Sequence, residues 1–194
     1  MTFSIPIQLD SGEITLRFEK GSFLPVKKYP LWQIRSGLVK TSTVLEDGTV
    51  VVLGLWEKNN LVGRVLSKAD PYQVECLTQV TAVPIKLENN IQFTELLLQQ
   101  IKEIEELTII RSHKKIDLML LKLLAWFAEK HGSLTENGHL IDLRLTHQDL
   151  ADILGTTRVT ITRALGYFEQ QGIITRLPLH RIVLHKDQTW HYQI

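Results

Sequence analysis

The sequence LTHQDLADILGTTRVTITRALGYFEQQG, at residues 145–172, carries the signals of two short helices joined by a turn. Thr146 is a good helix N-cap, and Asp149 three residues later nearly completes a capping box. Gly155 predicts the end of the first helix, because a residue with positive φ terminates many helices. Helix, glycine turn and second helix together form the helix-turn-helix pattern.

The second helix opens at a Thr156 or Thr157 cap and ends before Gly172. Its inner face is predicted at Ile161, Ala164, Leu165 and Phe168, and its exposed start at Thr157, Arg158, Val159, Thr160, Thr162 and Arg163. Arginine can donate two hydrogen bonds to guanine, threonine hydroxyls reach phosphates, and valine can contact a thymine methyl. The pattern therefore predicts a helix lodged in a DNA major groove; the alternative is an ordinary surface helix with two arginines.

The flanking segments predict a winged version of this motif. Residues 173–177 and 181–185 alternate around Pro178, as a β-hairpin does. Its basic side chains either contact the DNA backbone or only keep the wing soluble: Arg176, His180, Arg181, His185 and Lys186. Before the motif, residues 132–138 predict a turn-rich loop and residues 140–145 a short strand.

Residues 93–113 and 114–131 predict two helices, since the chain has no glycine or proline from residue 85 to residue 131. A stripe at spacings of three and four runs along the first of them: Leu97, Ile101, Ile104, Thr108 and Arg111. This helix either packs on its own domain or forms a two-stranded coiled coil with a second copy of the chain.

Residues 1–92 predict many short strands, which argues for a sandwich or a barrel. The strand signals lie at residues 14–18, 31–35, 37–44, 49–56 and, once or twice, 74–85, with a hairpin turn at residues 46–48.

Composition excludes several classes of protein. The chain has 194 residues, a net charge of +1 and one cysteine, Cys76, so neither an intrachain disulfide nor a four-thiolate cluster can form within it. No apolar run reaches the roughly 18 residues of a membrane span, and the first residues lack the pattern of a secretory signal. We expect a cytoplasmic protein with no membrane partner. All seven histidines follow residue 112, so we expect no metal site in the strand region.

The segments IDLRLTHQ at residues 141–148 and GTTRVTITR at residues 155–163 resemble the Crp/Fnr family of transcription regulators, most of all its cyanobacterial NtcA-like branch. The resemblance implies an α+β fold with three parts. These are a cupin-type, cyclic-nucleotide-binding-like β-roll at residues 1–92, a dimerisation helix at residues 93–113 and a winged helix-turn-helix at residues 114–194.

The resemblance also implies a homodimer, paired through helix 93–113, that binds double-stranded DNA at a palindromic operator with GTA and TAC half-sites. Within the recognition helix, residues 157–171, Arg158 and Arg163 would contact bases and Val159 would help to discriminate them. Phosphate-contacting positions of the family match Thr146, Gln148, Thr157 and Thr160. RNA polymerase is a further implied partner, as for an activator.

The β-roll departs from the relatives that bind cyclic nucleotides. Those proteins carry a Gly-Glu pair and an Arg-Ser-Ala run, where this chain has Gly63-Arg64 and residues 74–76, Val-Glu-Cys. Loss of the phosphate-binding arginine argues against cyclic AMP, and we expect no cofactor. The resemblance to the NtcA-like branch implies a 2-oxoglutarate-like anion as an effector candidate, bound by Arg64, Thr108, Arg111 and Lys114. The alternatives are that the protein has no effector or that a protein partner takes this role.

Two other functions remain as alternatives. One is a protein-interaction module that keeps the Crp fold without affinity for DNA, which the near-zero net charge favours. The other is a small cupin-type enzyme, against which stand the absence of histidine in the β-roll and of any phosphate-loop or nucleophile motif. We therefore expect a regulator without catalytic residues.

Overall fold

The computed structural model describes residues 5–8, 14–85 and 91–185. The chain divides into two compact units, residues 1–105 and 106–194. In its described part, the first unit contains the strands β1 (Ile5–Gln8), β2 (Ile14–Phe18), β3 (Trp32–Ser36), β4 (Val39–Val44), β5 (Val50–Trp56), β6 (Leu61–Val62), β7 (Gln73–Cys76) and β8 (Val80–Pro84). The predicted strands are thus confirmed, and the segment 74–85 supplies two of them.

The strands form two sheets around one apolar core. Five lie in the order β1-β2-β8-β3-β6, and three in the order β5-β4-β7. Trp32 from the first sheet and Val39 and Val74 from the second are fully buried in the same cluster. The turn between β4 and β5 contains Gly48 at φ 83, as its hairpin signal predicts.

A long helix, α1 (Ile91–Ser112), contributes residues to both units. In the first unit its buried positions are polar. Gln100 hydrogen-bonds both backbone groups of Leu61, donating to its carbonyl at 2.8 Å and accepting from its N–H at 3.0 Å. Glu103 accepts from the Asn60 side chain at 2.9 Å. Among the side chains of α1 that the structure describes, the exposed large apolar ones are Leu97, Leu98, Ile101, Ile104 and Ile109; we call them the α1 stripe.

The second unit is helical with a four-stranded antiparallel sheet in the order β11-β12-β10-β9. Its elements after α1 are α2 (Ile116–His131), β9 (Gly132–Thr135), β10 (Gly138–Ile141), α3 (His147–Leu154), α4 (Arg158–Gln170), β11 (Ile174–Leu177) and β12 (Arg181–His185). Helix α2 buries a broad apolar face that includes Leu120, Leu124 and Phe127, as predicted for a core helix.

Two local predictions before α3 were wrong. Residues 132–135 are not loop but strand β9, paired with β10, and β10 covers residues 138–141 rather than 140–145. Gly138 is the first residue of β10, and this position requires glycine because a Cβ there would come within 2.0 Å of the Leu184 carbonyl oxygen. The glycine that looks like a turn signal is instead required by the close approach of β10 and β12.

None of the helices in the described part of the chain is long and apolar enough to cross a membrane.

Candidate nucleic-acid interface

Helix α3 begins with a complete capping box. The Thr146 hydroxyl accepts the Asp149 backbone N–H at 3.1 Å, and the Asp149 carboxylate accepts the Thr146 backbone N–H at 2.7 Å. Each side chain thereby satisfies a backbone donor that the first helical turn leaves open. Leu150, Ile153 and Leu154 bury the opposite face, so both the start and the rotation of α3 are fixed.

The turn between α3 and α4 depends on Gly155. This residue adopts φ 64 and ψ 40, the left-handed conformation that costs glycine least. The following Thr156 N–H returns to the Ala151 carbonyl at 2.9 Å, which closes the end of α3.

Replacing Gly155 by alanine should destabilise the protein by about 1–2 kcal/mol, because any Cβ disfavours the left-handed region. A Cβ at Gly155 would meet no atom within 4 Å, so the cost is one of backbone conformation and not of a clash. The matched control is Gly166→Ala inside α4, where a Cβ also meets open space and where alanine should stabilise by about 0.5–1 kcal/mol. Urea unfolding of both variants measures the change in the free energy of unfolding, which should fall for Gly155→Ala and rise for Gly166→Ala. A change in the same direction in both variants would contradict this account.

Helix α4 is capped by Thr157, whose hydroxyl accepts the Thr160 backbone N–H at 3.2 Å. The side chains of Ile161, Ala164, Leu165 and Phe168 are buried, as the sequence predicts. Arg158, Val159 and Arg163 are exposed, and Val159 retains 59% of its accessible surface. The helix is thus held by its inner face and presents two arginines and one valine outward.

The wing consists of β11 and β12, joined across Leu179 and His180, which both adopt positive φ. Arg176 forms an ion pair with Glu169 of α4, and its hydrogen bonds hold the pKa of Glu169 below the usual value. His180 and Leu179 are exposed in the wing turn. Of the predicted backbone-contacting side chains, Lys186 lies outside the described residues.

Comparison with known proteins identifies the family. Residues 101–188 match the model of the Crp-like helix-turn-helix domain. Over 167 residues, the chain is 41% identical to the regulatory protein CysR of Synechococcus elongatus, covering 84% of this chain and 81% of that protein. The chain belongs to the Crp/Fnr family of transcription regulators. As such it is a DNA-binding transcription regulator, and the predicted resemblance is confirmed.

A second relative supports the same assignment, and a solved structure supports the fold. The global nitrogen regulator of Nostoc is 31% identical over 170 residues, covering 79% of this chain and 75% of that protein. A solved transcriptional regulator of the CRP family from Thermus thermophilus superposes with a TM-score of 0.73 at 16% identity, over 90% of this chain and 96% of that one. The predicted α+β architecture, with an N-terminal sheet domain and a C-terminal helix-turn-helix, is that of the Crp/Fnr fold.

The structure places the predicted DNA-contacting residues of this Crp/Fnr regulator at the N-terminal ends of two helices. Thr157, Arg158, Val159, Thr160 and Arg163 form the cap and first turns of α4, and Thr146 and Gln148 begin α3. The polar members hold local bonds: Gln148 donates to Asp152 at 2.7 Å, and the Thr157 and Thr160 hydroxyls are 2.9 Å apart. Their contacts to DNA stay predictions.

The predicted effector residues of the Crp/Fnr β-roll and long helix are divided between the two units. Arg64 forms an exposed ion pair with Asp70 at 3.2 Å in the first unit. Thr108, Arg111 and Lys114 lie in the second, where the Arg111 Nε donates to the Ile153 carbonyl at 2.6 Å and burial lowers its pKa. The binding of an anion by these four side chains stays a prediction. In the described part of the chain, no group of three metal-ligating side chains converges.

Sequence reasoning missed His147. Its Nδ1 lies 2.8 Å from the Thr162 hydroxyl, so this side chain joins α3 to α4. No periodic signal marks such a contact, because it depends on how the two helices pack.

Proposed function

We propose that this regulator acts as a homodimer that recognises a palindromic operator through α4. The observation that carries the proposal is the exposed start of α4, where Arg158, Val159 and Arg163 stand outward on a helix anchored by buried Ile161 and Leu165. An α-helix fits the major groove of B-DNA, and residues near its N-terminus reach base edges first.

Base recognition in this proposal belongs to the arginines and the valine. No described residue forms a hydrogen bond or an ion pair with the guanidinium group of Arg158 or Arg163, so base contacts would break no bond that the structure describes. Each group can donate two hydrogen bonds to guanine O6 and N7, and Val159 can pack on a thymine methyl. These contacts suit half-sites of the form GTA and TAC, each of which contains a guanine on one strand or the other.

Phosphate contacts belong to the two helix starts. Thr146 and Gln148 lie at the start of α3, and Thr157 and Thr160 at the start of α4, where the positive end of the helix dipole favours an anion. Their hydroxyl and amide groups can exchange their present local partners for phosphate oxygens. Such contacts fix the register of the protein on DNA without reading sequence.

The homodimer is proposed through α1, the helix predicted at residues 93–113. In the first unit the usual pattern of burial is reversed on this helix, because polar Gln100 and Glu103 are buried. The apolar residues Leu97, Ile101 and Ile104 are exposed. Contiguous exposed apolar side chains are typical of interaction sites. A second copy of α1 would cover the stripe and hold two α4 helices one DNA turn apart, about 34 Å.

The cellular setting follows from the same proposal. The regulator would act in the cytoplasm, which contains the DNA of bacterial cells. RNA polymerase would be a further partner if the regulator activates transcription. In this proposal the protein acts by binding DNA and does not catalyse a reaction.

Selection of bound sites from a random oligonucleotide pool tests the proposed function. The expected product is a dyad-symmetric sequence with GTA and TAC halves whose centres lie about 34 Å apart. Repeating the binding at several salt concentrations should give an affinity that falls steeply as salt rises, because phosphate contacts release counterions. Enrichment of no sequence would support a Crp-fold module without DNA affinity, and asymmetric sites would contradict the homodimer.

A further inference from the structure

A cleft of about 420 Å³ lies between α3, α4 and the wing, and two histidines line it. The rings of His147 and His180 meet edge to face, with their centroids 6.0 Å apart. His147 is the half-buried first residue of α3, and His180 is exposed in the wing turn. We call this space the histidine cleft. The first residue of α3 and the turn of the wing both line this cleft, and α4 contributes Leu165 and Glu169 from its second half.

The hydrogen bonds around His147 fix its tautomer. The Thr162 hydroxyl donates its single hydrogen to the Arg158 carbonyl at 2.9 Å. In the contact between Thr162 and His147, at 2.8 Å, the hydroxyl must therefore accept, and the His147 Nδ1–H must donate. The neutral imidazole consequently keeps its lone pair on Nε2, which is the nitrogen that can take up a proton.

Positive charge surrounds this imidazole. Burial lowers the pKa of His147, and the neighbouring His180, Arg176 and Arg158 lower it further. Arg181 also lines the cleft. Glu169 is an acidic residue of the lining, but it forms an ion pair with Arg176. Leucine and isoleucine side chains make up the rest of the lining. Without DNA, the charged part of the lining is thus mainly cationic, and the neutral form of His147 is favoured.

From this geometry we propose that the histidine cleft binds one phosphate group of the operator backbone, with His147 donating to it as an imidazolium ion and His180 donating a ring N–H. The proposal rests on the proposed function, since the phosphate belongs to DNA bound along α3 and the wing. A proton from solvent adds to Nε2 of His147, the new N–H donates to a phosphate oxygen, and no covalent bond of the DNA changes. Operator binding therefore takes up protons.

The direction of the pH effect follows from linkage. A bound phosphate favours the charged imidazole, so the pKa of His147 is higher in the complex than in the free protein, where it lies below the ordinary histidine value. Between these two values the complex holds a proton that the free protein lacks, and operator affinity rises as pH falls. Protonation of one histidine, His147, contributes at most about a tenfold change in Kd per pH unit.

The first test uses the native protein and its selected operator at constant ionic strength. Fluorescence anisotropy should give a Kd at least about fivefold lower near pH 6 than near pH 8. Calorimetry in two buffers of different ionisation enthalpy should show net proton uptake, and the ring signals of His147 should titrate at higher pH in the complex. Proton-neutral binding, with an unshifted His147 titration, would overturn the proposal without any variant.

Two substitutions locate the effect. His147→Asn keeps an N–H for Thr162 but does not titrate, and His180→Asn suits the φ of 59 at that position, since asparagine tolerates the left-handed region. The double variant should lose the pH dependence that His139→Gln, a control on β10 outside the cleft lining, retains. A folded double variant with the native pH dependence would overturn the proposal.

The source of the anion is tested separately. Inorganic phosphate titrated in place of DNA should shift the His147 ring signals far less than operator, because α3 and the wing hold a diester within a backbone and not a free ion; an equal shift would reassign the cleft to a free anion. No operator binding at any pH would refute the proposed function, whereas tight operator binding without proton uptake would refute this inference alone.

Discussion

Replacing Ile101 and Ile104 together by glutamate should convert the homodimer to a monomer and lower operator affinity by at least about a hundredfold. Both side chains belong to the α1 stripe and are exposed in the protomer, Ile101 by 60% and Ile104 by 41%. The substitution therefore leaves the core of the protomer intact and acts on whatever covers the stripe.

The size of this effect follows from symmetry. Burying one isoleucine side chain contributes about 1.5–3 kcal/mol. In a two-fold dimer each substitution is present in both protomers, so its effect on the interface occurs twice. The glutamates add like charges that face each other across the seam. Once the protomers separate, the second half-site is no longer bound intramolecularly, and the gain of about 10²–10⁴ from bivalent binding is lost.

Sedimentation measures the dimer, and anisotropy with the selected operator measures the affinity. The matched control, Val65→Glu with Leu134→Glu, places two glutamates at exposed apolar positions that do not belong to α1 and should leave both measurements unchanged. Circular dichroism should show native helix content in both double variants. A dimer that survives the Ile101 and Ile104 substitutions would show that α1 is not the interface.

The helix-turn-helix could be predicted from sequence because each of its signals is local. The Thr146 cap acts on a residue three positions away, the Gly155 turn needs only its own φ of 64, and the apolar spacing of α4 lies within one helix. The structure confirms all three. Short-range signals of this kind need no knowledge of the rest of the fold.

The missed features depend on contacts between distant elements. Strand β9 forms because Gly132–Thr135 pairs with β10, and its own residues carry only turn signals. The bond between His147 and Thr162 spans fifteen residues and depends on the packing of α3 on α4. For α1, the sequence shows apolar residues at helical spacing, but such a face usually packs against the core of its own domain. Only the burial of Gln100 and Glu103 in the structure shows that the apolar face remains exposed.

Replacing Arg158 by alanine should cost about 1–3 kcal/mol at each half-site of the selected operator and relax the preference for guanine there. Arg158 is exposed at the first position of α4, and no described residue forms a hydrogen bond or an ion pair with its guanidinium group. The free energy of unfolding measured in urea should therefore not change, and the lost binding free energy should come from the contact between Arg158 and DNA.

Arg158→Lys separates base contact from charge. Lysine keeps the positive charge but not the planar pair of donors that matches guanine O6 and N7. If Arg158 contacts bases, the lysine variant should recover little of the specificity, and the salt dependence of its binding should stay near that of the native protein. Competition between the selected operator and random DNA measures the specificity. An equal loss of affinity on both DNAs in Arg158→Ala, with full recovery in Arg158→Lys, would instead make Arg158 a phosphate contact and leave base recognition to Arg163 and Val159.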